Sequence, residues 1–134
     1  INGKDVRAYE KEKLSSMFGI VLQNDFLYAD TVEENIKFGR ELSRDDVVRA
    51  AKIAQADDFI NGFPDRYGHI LAQHGTNISG GQKPRLLISR ALAANPEILI
   101  LCNFTEGIHK FDLNNMSFCL NNSFLSVGIN NKAE

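Results

Sequence analysis

Apolar and polar residues follow two different rhythms along this chain. Phe18-Gly19-Ile20-Val21-Leu22 is a short apolar run that stops at Gln23-Asn24-Asp25, and Ile98-Leu99-Ile100-Leu101 is another that follows a turn at Asn95-Pro96. Short, nearly unbroken apolar runs fit strands buried in a parallel sheet. Between them the rhythm is helical. Thr31-Val32-Glu33-Glu34 has the T-x-x-E form of a capping box and predicts a short helix that stops near Gly39. Ser43 is a second N-cap candidate, and from Asp45 to Ile60 the residues Val47, Val48, Ala51, Ile53 and Ala54 recur at helical spacing. Gly62, Pro64 and Gly68 then punctuate a loop, and a further helix runs from its cap at Ser79 to about Ala94. Strand, several helices, strand predicts an α/β layer carrying a mostly helical insert.

Beyond Leu101 the pattern changes. Seven of the last 33 residues are Asn (103, 114, 115, 121, 122, 130 and 131), and helical periodicity disappears. Residues 118–127 fit either a weak hairpin around Asn121-Asn122 or a disordered tail. The 134 residues are 43% hydrophobic and 24% charged, with net charge −2, ordinary values for one domain or part of one. Slight acidity gives no support for a nucleic-acid partner. The two cysteines, Cys102 and Cys119, form no CxxC motif and read as free thiols in a reducing compartment. No apolar run reaches the roughly 20 residues that span a bilayer, and no signal peptide opens the chain. The expectation is a soluble chain, or one held at a membrane through a partner.

The chemistry concentrates at Ser79-Gly80-Gly81-Gln82. Two adjacent glycines cost about 1 kcal/mol each in a helical position, yet they stand ahead of the well-patterned Arg85-Leu86-Leu87-Ile88-Ser89-Arg90-Ala91-Leu92. S-x-x-Q is a capping box that puts the glycines in the first turn, where N–H groups have no intrahelical acceptor. A helix N-terminus attracts anions, and missing Cβ atoms let a large anion approach the amides. The Ser79 hydroxyl and Gln82 amide add donors. The plainer reading is a capped helix whose glycines merely permit tight packing.

Ile78-Ser79-Gly80-Gly81-Gln82, followed by Lys83 and Arg85, resembles the LSGGQ signature of ATP-binding-cassette (ABC) ATPases. Upstream, "FGIVLQNDFLYADTVEENIKFG" resembles the family's Q-loop region, with Gln23 at the Q-loop position. "FINGFPDRYGHILAQHGTN" resembles the loop before the signature in exporter-type cassettes, which places Gln73-His74-Gly75 where an exporter meets its transmembrane domain. "RALAANPEILIL" resembles the approach to Walker B. Gln23 and Ser79 lie 56 positions apart (79 − 23), too close for the long coiled coil of Rad50-like relatives, so the resemblance is to the transporter branch.

The resemblance implies a partial P-loop NTPase (ABC ATPase) fold, mainly the helical subdomain (30–94) with flanking strands of the core sheet. It covers residues 1–101 as a partial nucleotide-binding domain and leaves 102–134 as a divergent Asn-rich segment. In this family two cassettes sandwich ATP, each nucleotide lying between Walker A of one and the signature of the other. Ser79, Gly80, Gly81 and Gln82 would therefore contact nucleotide in trans, and Gln23 would sense magnesium and the γ-phosphate indirectly. The implied cofactors are ATP and Mg2+, expected only with an intact partner cassette. The implied partners are a second nucleotide-binding domain, in a homo- or heterodimer, and the transmembrane domain of an exporter at the cytoplasmic face of the membrane.

Departures from the family pattern limit what the chain does alone. No G-x-x-x-x-G-K-[ST] phosphate loop occurs, and the sole Gly-Lys, Gly3-Lys4, is followed by Asp5. By resemblance "INGKDV" is the β-segment after the Walker A helix, so the sequence is expected to begin after that motif. Cys102 and Asn103 stand where Walker B carries Asp and the catalytic Glu, and neither serves as a carboxylate base. Thr105 fits the pattern, but Glu106-Gly107-Ile108-His109 replaces the D-loop, and His109 comes too early to be the switch histidine. Pro84 removes an N–H that would bond the Gly80 carbonyl, a change that costs about 3 kcal/mol in a helix interior; a late start or a bent first turn reduces that cost, and either reorients the amides, so the signature is expected to be impaired. Two functions follow: a fragment of an ATP-binding subunit contributing Q-loop and signature to a sandwich that drives export without hydrolysing ATP alone, or a truncated or frame-disrupted non-catalytic product acting, if at all, as a helical interaction module.

Overall fold

A computed structural model describes residues 1, 3–22 and 24–101. Helix α1 (Lys11–Ser16) leads into strand β1 (Phe18–Val21), followed by α2 (Val32–Lys37), α3 (Arg44–Ile53), α4 (Asp57–Asn61), α5 (Gln82–Ala93) and strand β2 (Ile98–Leu101). Three short 3-10 turns occupy Val6–Ala8, Arg66–Gly68 and Gln73–Gly75. The two apolar runs pair in parallel, Phe18 opposite Ile98 and Val21 opposite Leu101. The helices α2–α5 lie in the crossover between them, as the strand–helices–strand pattern predicts.

Helix α5 is the pillar of this arrangement. Pro84, Leu86, Leu87, Ile88, Ser89, Ala91, Leu92 and Ala93 are all buried on it, so it is covered on most of its circumference. It packs against α2 and α3 on one side and β1 on the other. Gly19 marks the closest approach: a Cβ there would stand 2.9 Å from the Ala91 carbonyl oxygen and 2.9 Å from Pro96 Cγ. Leu27, Val32, Ile36, Val47, Ile60 and Leu71 complete the apolar core around it.

Side-chain caps mark the starts of α2 and α3. Thr31 accepts from the Glu34 N–H at 3.1 Å, while its own N–H donates to Asp30 instead of to Glu34. Helix α2 ends through two left-handed residues, Phe38 (φ 52°) and Gly39 (φ 72°), at the predicted stop. Ser43 and Asp46 form a reciprocal capping box at the head of α3.

Three expectations need correction. The helical pattern from Asp45 to Ile60 is two helices rather than one, because Gln55 takes φ 55° and the Ala56 N–H bonds back to the Ala51 carbonyl at 2.7 Å. That six-residue closure satisfies orphan carbonyls as a helix-ending motif does. The strands are buried on one face only: Val21, Leu99 and Leu101 point inward, whereas Ile20 is 54% exposed, because no layer covers the outer face among the described residues. Residues expected to form a β-segment at the start of the chain form turns instead, with Gly3 at φ 74° and Asp5 capping the Val6–Ala8 turn through the Arg7 N–H. The hairpin or tail reading of 118–127 lies outside the described residues.

Candidate functional site

The Ser79–Gln82 box forms. Ser79 Oγ accepts from the Gln82 N–H at 3.2 Å, and Gln82 Oε1 accepts from the Ser79 N–H at 3.0 Å. The Ser79 carbonyl also accepts from the Gln82 and Lys83 N–H groups, at 3.1 and 3.2 Å, so the turn runs continuously into the helix. Regular α-helix nevertheless begins at Gln82, leaving Gly80 and Gly81 as a turn ahead of it. Pro84 gives the reason. Lacking an N–H, it cannot bond the Gly80 carbonyl, and the ladder starts after that residue. Pro84 then occupies the first turn, where its missing donor is an orphan position anyway. The late start is the expected outcome that is observed, so the interior penalty does not apply, and the ring is buried.

Two features make this turn receptive. Ser79, Gly80 and Gly81 are exposed, and the N–H groups of Gly80 and Gly81 have no acceptor among the described residues. A Cβ built on either glycine meets nothing within 4 Å, and neither backbone takes a positive φ. The tight-packing explanation of these glycines therefore fails within this chain: neither conformation nor internal contact requires them. The Ser79 hydroxyl hydrogen and the Gln82 side-chain amide are likewise uncommitted among the described residues. Exposed donors at the positive end of a twelve-residue helix form a cradle suited to phosphate oxygens.

A second feature lies along α5. Phe26, Tyr28 and Phe38 are 43%, 44% and 48% exposed. Phe26 meets Tyr28 edge-on with ring centroids 4.9 Å apart, Tyr28 meets Phe38 at 5.6 Å, and His74 lies 5.6 Å from Phe26. Beneath them Asn35, only 2% exposed, holds Tyr28 from both sides: its Oδ1 accepts from the Tyr28 N–H at 2.8 Å and its Nδ2 donates to the Tyr28 carbonyl at 3.0 Å. Arg90 of α5 donates to the Asn35 carbonyl at 2.9 Å and the Phe26 carbonyl at 3.0 Å. Burial pulls the Arg90 guanidinium below the usual arginine range, and the nearby Asp25 and Tyr28 oppose that shift.

A family model described as ABC transporter matches residues 1–106. The chain belongs to the ABC transporter family. This ABC chain is 44% identical over 109 residues to the ABC transporter ATP-binding protein YknU of Bacillus subtilis (strain 168), covering 81% of itself and 19% of that protein. It is 41% identical over 109 residues to multidrug resistance protein pgp-1 of Caenorhabditis elegans, covering 81% of itself and 8% of the relative. Among solved structures it resembles a bacterial Atm1-family ABC exporter with ATP bound, with TM-score 0.74 and 31% identity over 96% of this chain and 23% of that one. The chain spans about a fifth or less of the length of these curated relatives. Its fold is accordingly a partial ABC ATPase fold.

The structure brings Ser79, Gly80, Gly81 and Gln82 together at the head of α5. Gln23 lies outside the described residues. Cys102, Asn103, Thr105 and His109 also lie outside the described residues. Gln73-His74-Gly75 forms a turn with His74 at φ 60°, pinned by its N–H to the Leu27 carbonyl at 2.9 Å. His69 stacks on Phe63 with ring centroids 4.3 Å apart. Asn35, Arg90 and the aromatic face escaped sequence reasoning. Their one signal is a charged residue in the apolar Leu86–Ala93 run, and it says nothing about the partners of that residue.

Proposed function

We propose that this ABC chain supplies the signature turn of an ATP sandwich that drives transmembrane export. The observation that carries the reading is the pair of exposed, unpaired glycine N–H groups at the head of α5, under empty space that neither fold nor packing requires. Ser79, Gly80, Gly81 and Gln82 contact the phosphates of ATP held by a second nucleotide-binding domain, and Gln23 responds indirectly to its magnesium. Both groups fit this arrangement. The turn is open to an anion, and Mg2+ accompanies the nucleotide that the partner holds. Residues 30–94 form the helical subdomain of a partial nucleotide-binding domain covering 1–101.

The aromatic face of Phe26, Tyr28 and Phe38, continued by the Gln73–Gly75 turn, is the side turned toward the transmembrane domain. No described helix is long and apolar enough to cross a membrane. On this reading the chain lies at the cytoplasmic face of the membrane, held by that partner. The chain does not hydrolyse ATP alone, since it contains no phosphate loop and carries Cys102 and Asn103 at the Walker B carboxylate positions. The test is association with an intact exporter cassette. Binding that requires Mg-ATP supports the reading. Nucleotide-independent binding, or none, favours the non-catalytic interaction module.

A further inference from the structure

We propose that Arg90 is a positioning residue that ties the aromatic face to the signature helix, so that nucleotide at Ser79–Gln82 alters the setting of Phe26, Tyr28 and Phe38. The inference rests on the reading of the signature turn given above. Gly81 stands at the N-cap of α5 and Arg90 lies in its last turn, nine residues on (90 − 81), or about 14 Å along the axis. A push on the exposed turn is therefore carried to Arg90 by a rigid element.

Arg90 is the side chain through which that push reaches the face. Its Nε donates to the Asn35 carbonyl at 2.9 Å, one terminal nitrogen to the Phe26 carbonyl at 3.0 Å, and the other to Asn35 Oδ1 at 3.3 Å. Those acceptors are 55 and 64 residues away in sequence, on α2 and on the segment after β1. The same guanidinium lies over the Phe38 ring at 4.3 Å and over Tyr28 at 5.7 Å. Asn35 Oδ1 also accepts from the Tyr28 N–H, so one carboxamide oxygen links Arg90 to the backbone beneath the central ring. From the other side, Arg40 donates to the Arg90 carbonyl at 2.5 Å while holding the last carbonyls of α2 at 2.9 and 3.1 Å. A planar, five-donor group is suited to hold several acceptors and two ring faces together. A lysine ammonium keeps the charge but not that geometry.

The chain contains no Trp, so Tyr28→Trp labelled with 5-fluorotryptophan places a single fluorine reporter in the face. The full labelled chain is mixed with an unlabelled, hydrolysis-deficient exporter cassette, with and without Mg-ATP. Fluorine NMR reads residue 28, and sedimentation reads complex formation. The expected result is a fluorine shift on complex formation that disappears in Arg90→Lys while that variant still forms the complex. A shift retained in Arg90→Lys, or a complex without a shift in the Arg90 chain, overturns the inference and leaves the reading of the turn standing. Absence of a complex in Mg-ATP overturns both. A second readout needs no variant at position 90. The Arg90 Nε–H resonance, held by the Asn35 carbonyl, moves together with the fluorine signal; an unmoved Nε–H beside a shifted fluorine overturns the inference.

Discussion

Replacing Gly81 by alanine separates two roles that a glycine can have at the head of a helix. Gly81 has φ −84° and ψ −22°, angles any L-residue adopts, and its missing Cβ would meet nothing within 4 Å. The capping side chain belongs to Ser79, so alanine at 81 removes no cap. Alanine there reduces the entropy of the unfolded chain without strain, a stabilisation of about 0.4–1 kcal/mol. For a domain of this size that corresponds to a rise in Tm of roughly 1–5 °C. Function should move the other way. A methyl group above the unpaired amides obstructs a phosphate oxygen, and a lost hydrogen bond to a charged group is worth about 1.5–3 kcal/mol. Pairing with an intact cassette in Mg-ATP should weaken roughly 10- to 150-fold. Thermal unfolding followed by far-UV circular dichroism, beside a binding titration, reads both effects. A fall in Tm on Gly81→Ala would show that the glycine is there for the fold, and unchanged pairing would show that the open space above it serves no ligand.

Other consequences follow from the same contacts. Asn35→Ala orphans the Tyr28 N–H and takes one of two donors from each of the Tyr28 and Thr31 carbonyls, which keep the backbone N–H groups of Asp30 and Asn35; it should cost about 1–3 kcal/mol, read as a lower urea midpoint with an unchanged m-value. The Asp46 carboxyl is held below its usual range by the Ser43 hydroxyl and then by the Ser43 N–H, so its contribution is present above the ordinary carboxylate range. That contribution is lost as pH falls through the lowered folded value: α3 should loosen at its head on acidification, and Asp46→Asn should abolish this pH dependence in amide exchange of Val47. Restoring Cys102→Asp together with Asn103→Glu should produce no ATP turnover by the chain alone, because a phosphate loop is still missing, and turnover in a phosphate-release assay would reveal a phosphate site elsewhere.

What the sequence conveyed was largely local. Caps at Thr31, Ser43 and Ser79 are read from four-residue patterns, and each forms its expected side-chain bond because the donor and acceptor are neighbours in the chain. The strands were legible as apolar runs, but their exposed outer face was not, since an apolar residue at Ile20 reads the same whether or not a layer covers it. The break at Gln55 was hidden because no glycine or proline marks it; the left-handed turn is sustained by backbone bonds and by Arg85, which donates to the Gln55 carbonyl at 3.1 Å. Pro84 left its magnitude open. Its cost depends on where the helical ladder starts, and that start is itself set by the proline. The Arg90–Asn35 link spans 55 residues of sequence, and such long-range polar pairs leave no periodic trace.

The central claim is tested most directly by measuring association of the chain with an intact, hydrolysis-deficient exporter cassette by sedimentation velocity, in Mg-ATP, in Mg-ADP and without nucleotide. A complex is expected in Mg-ATP alone. Equal association in all three conditions, or none in any, would contradict it.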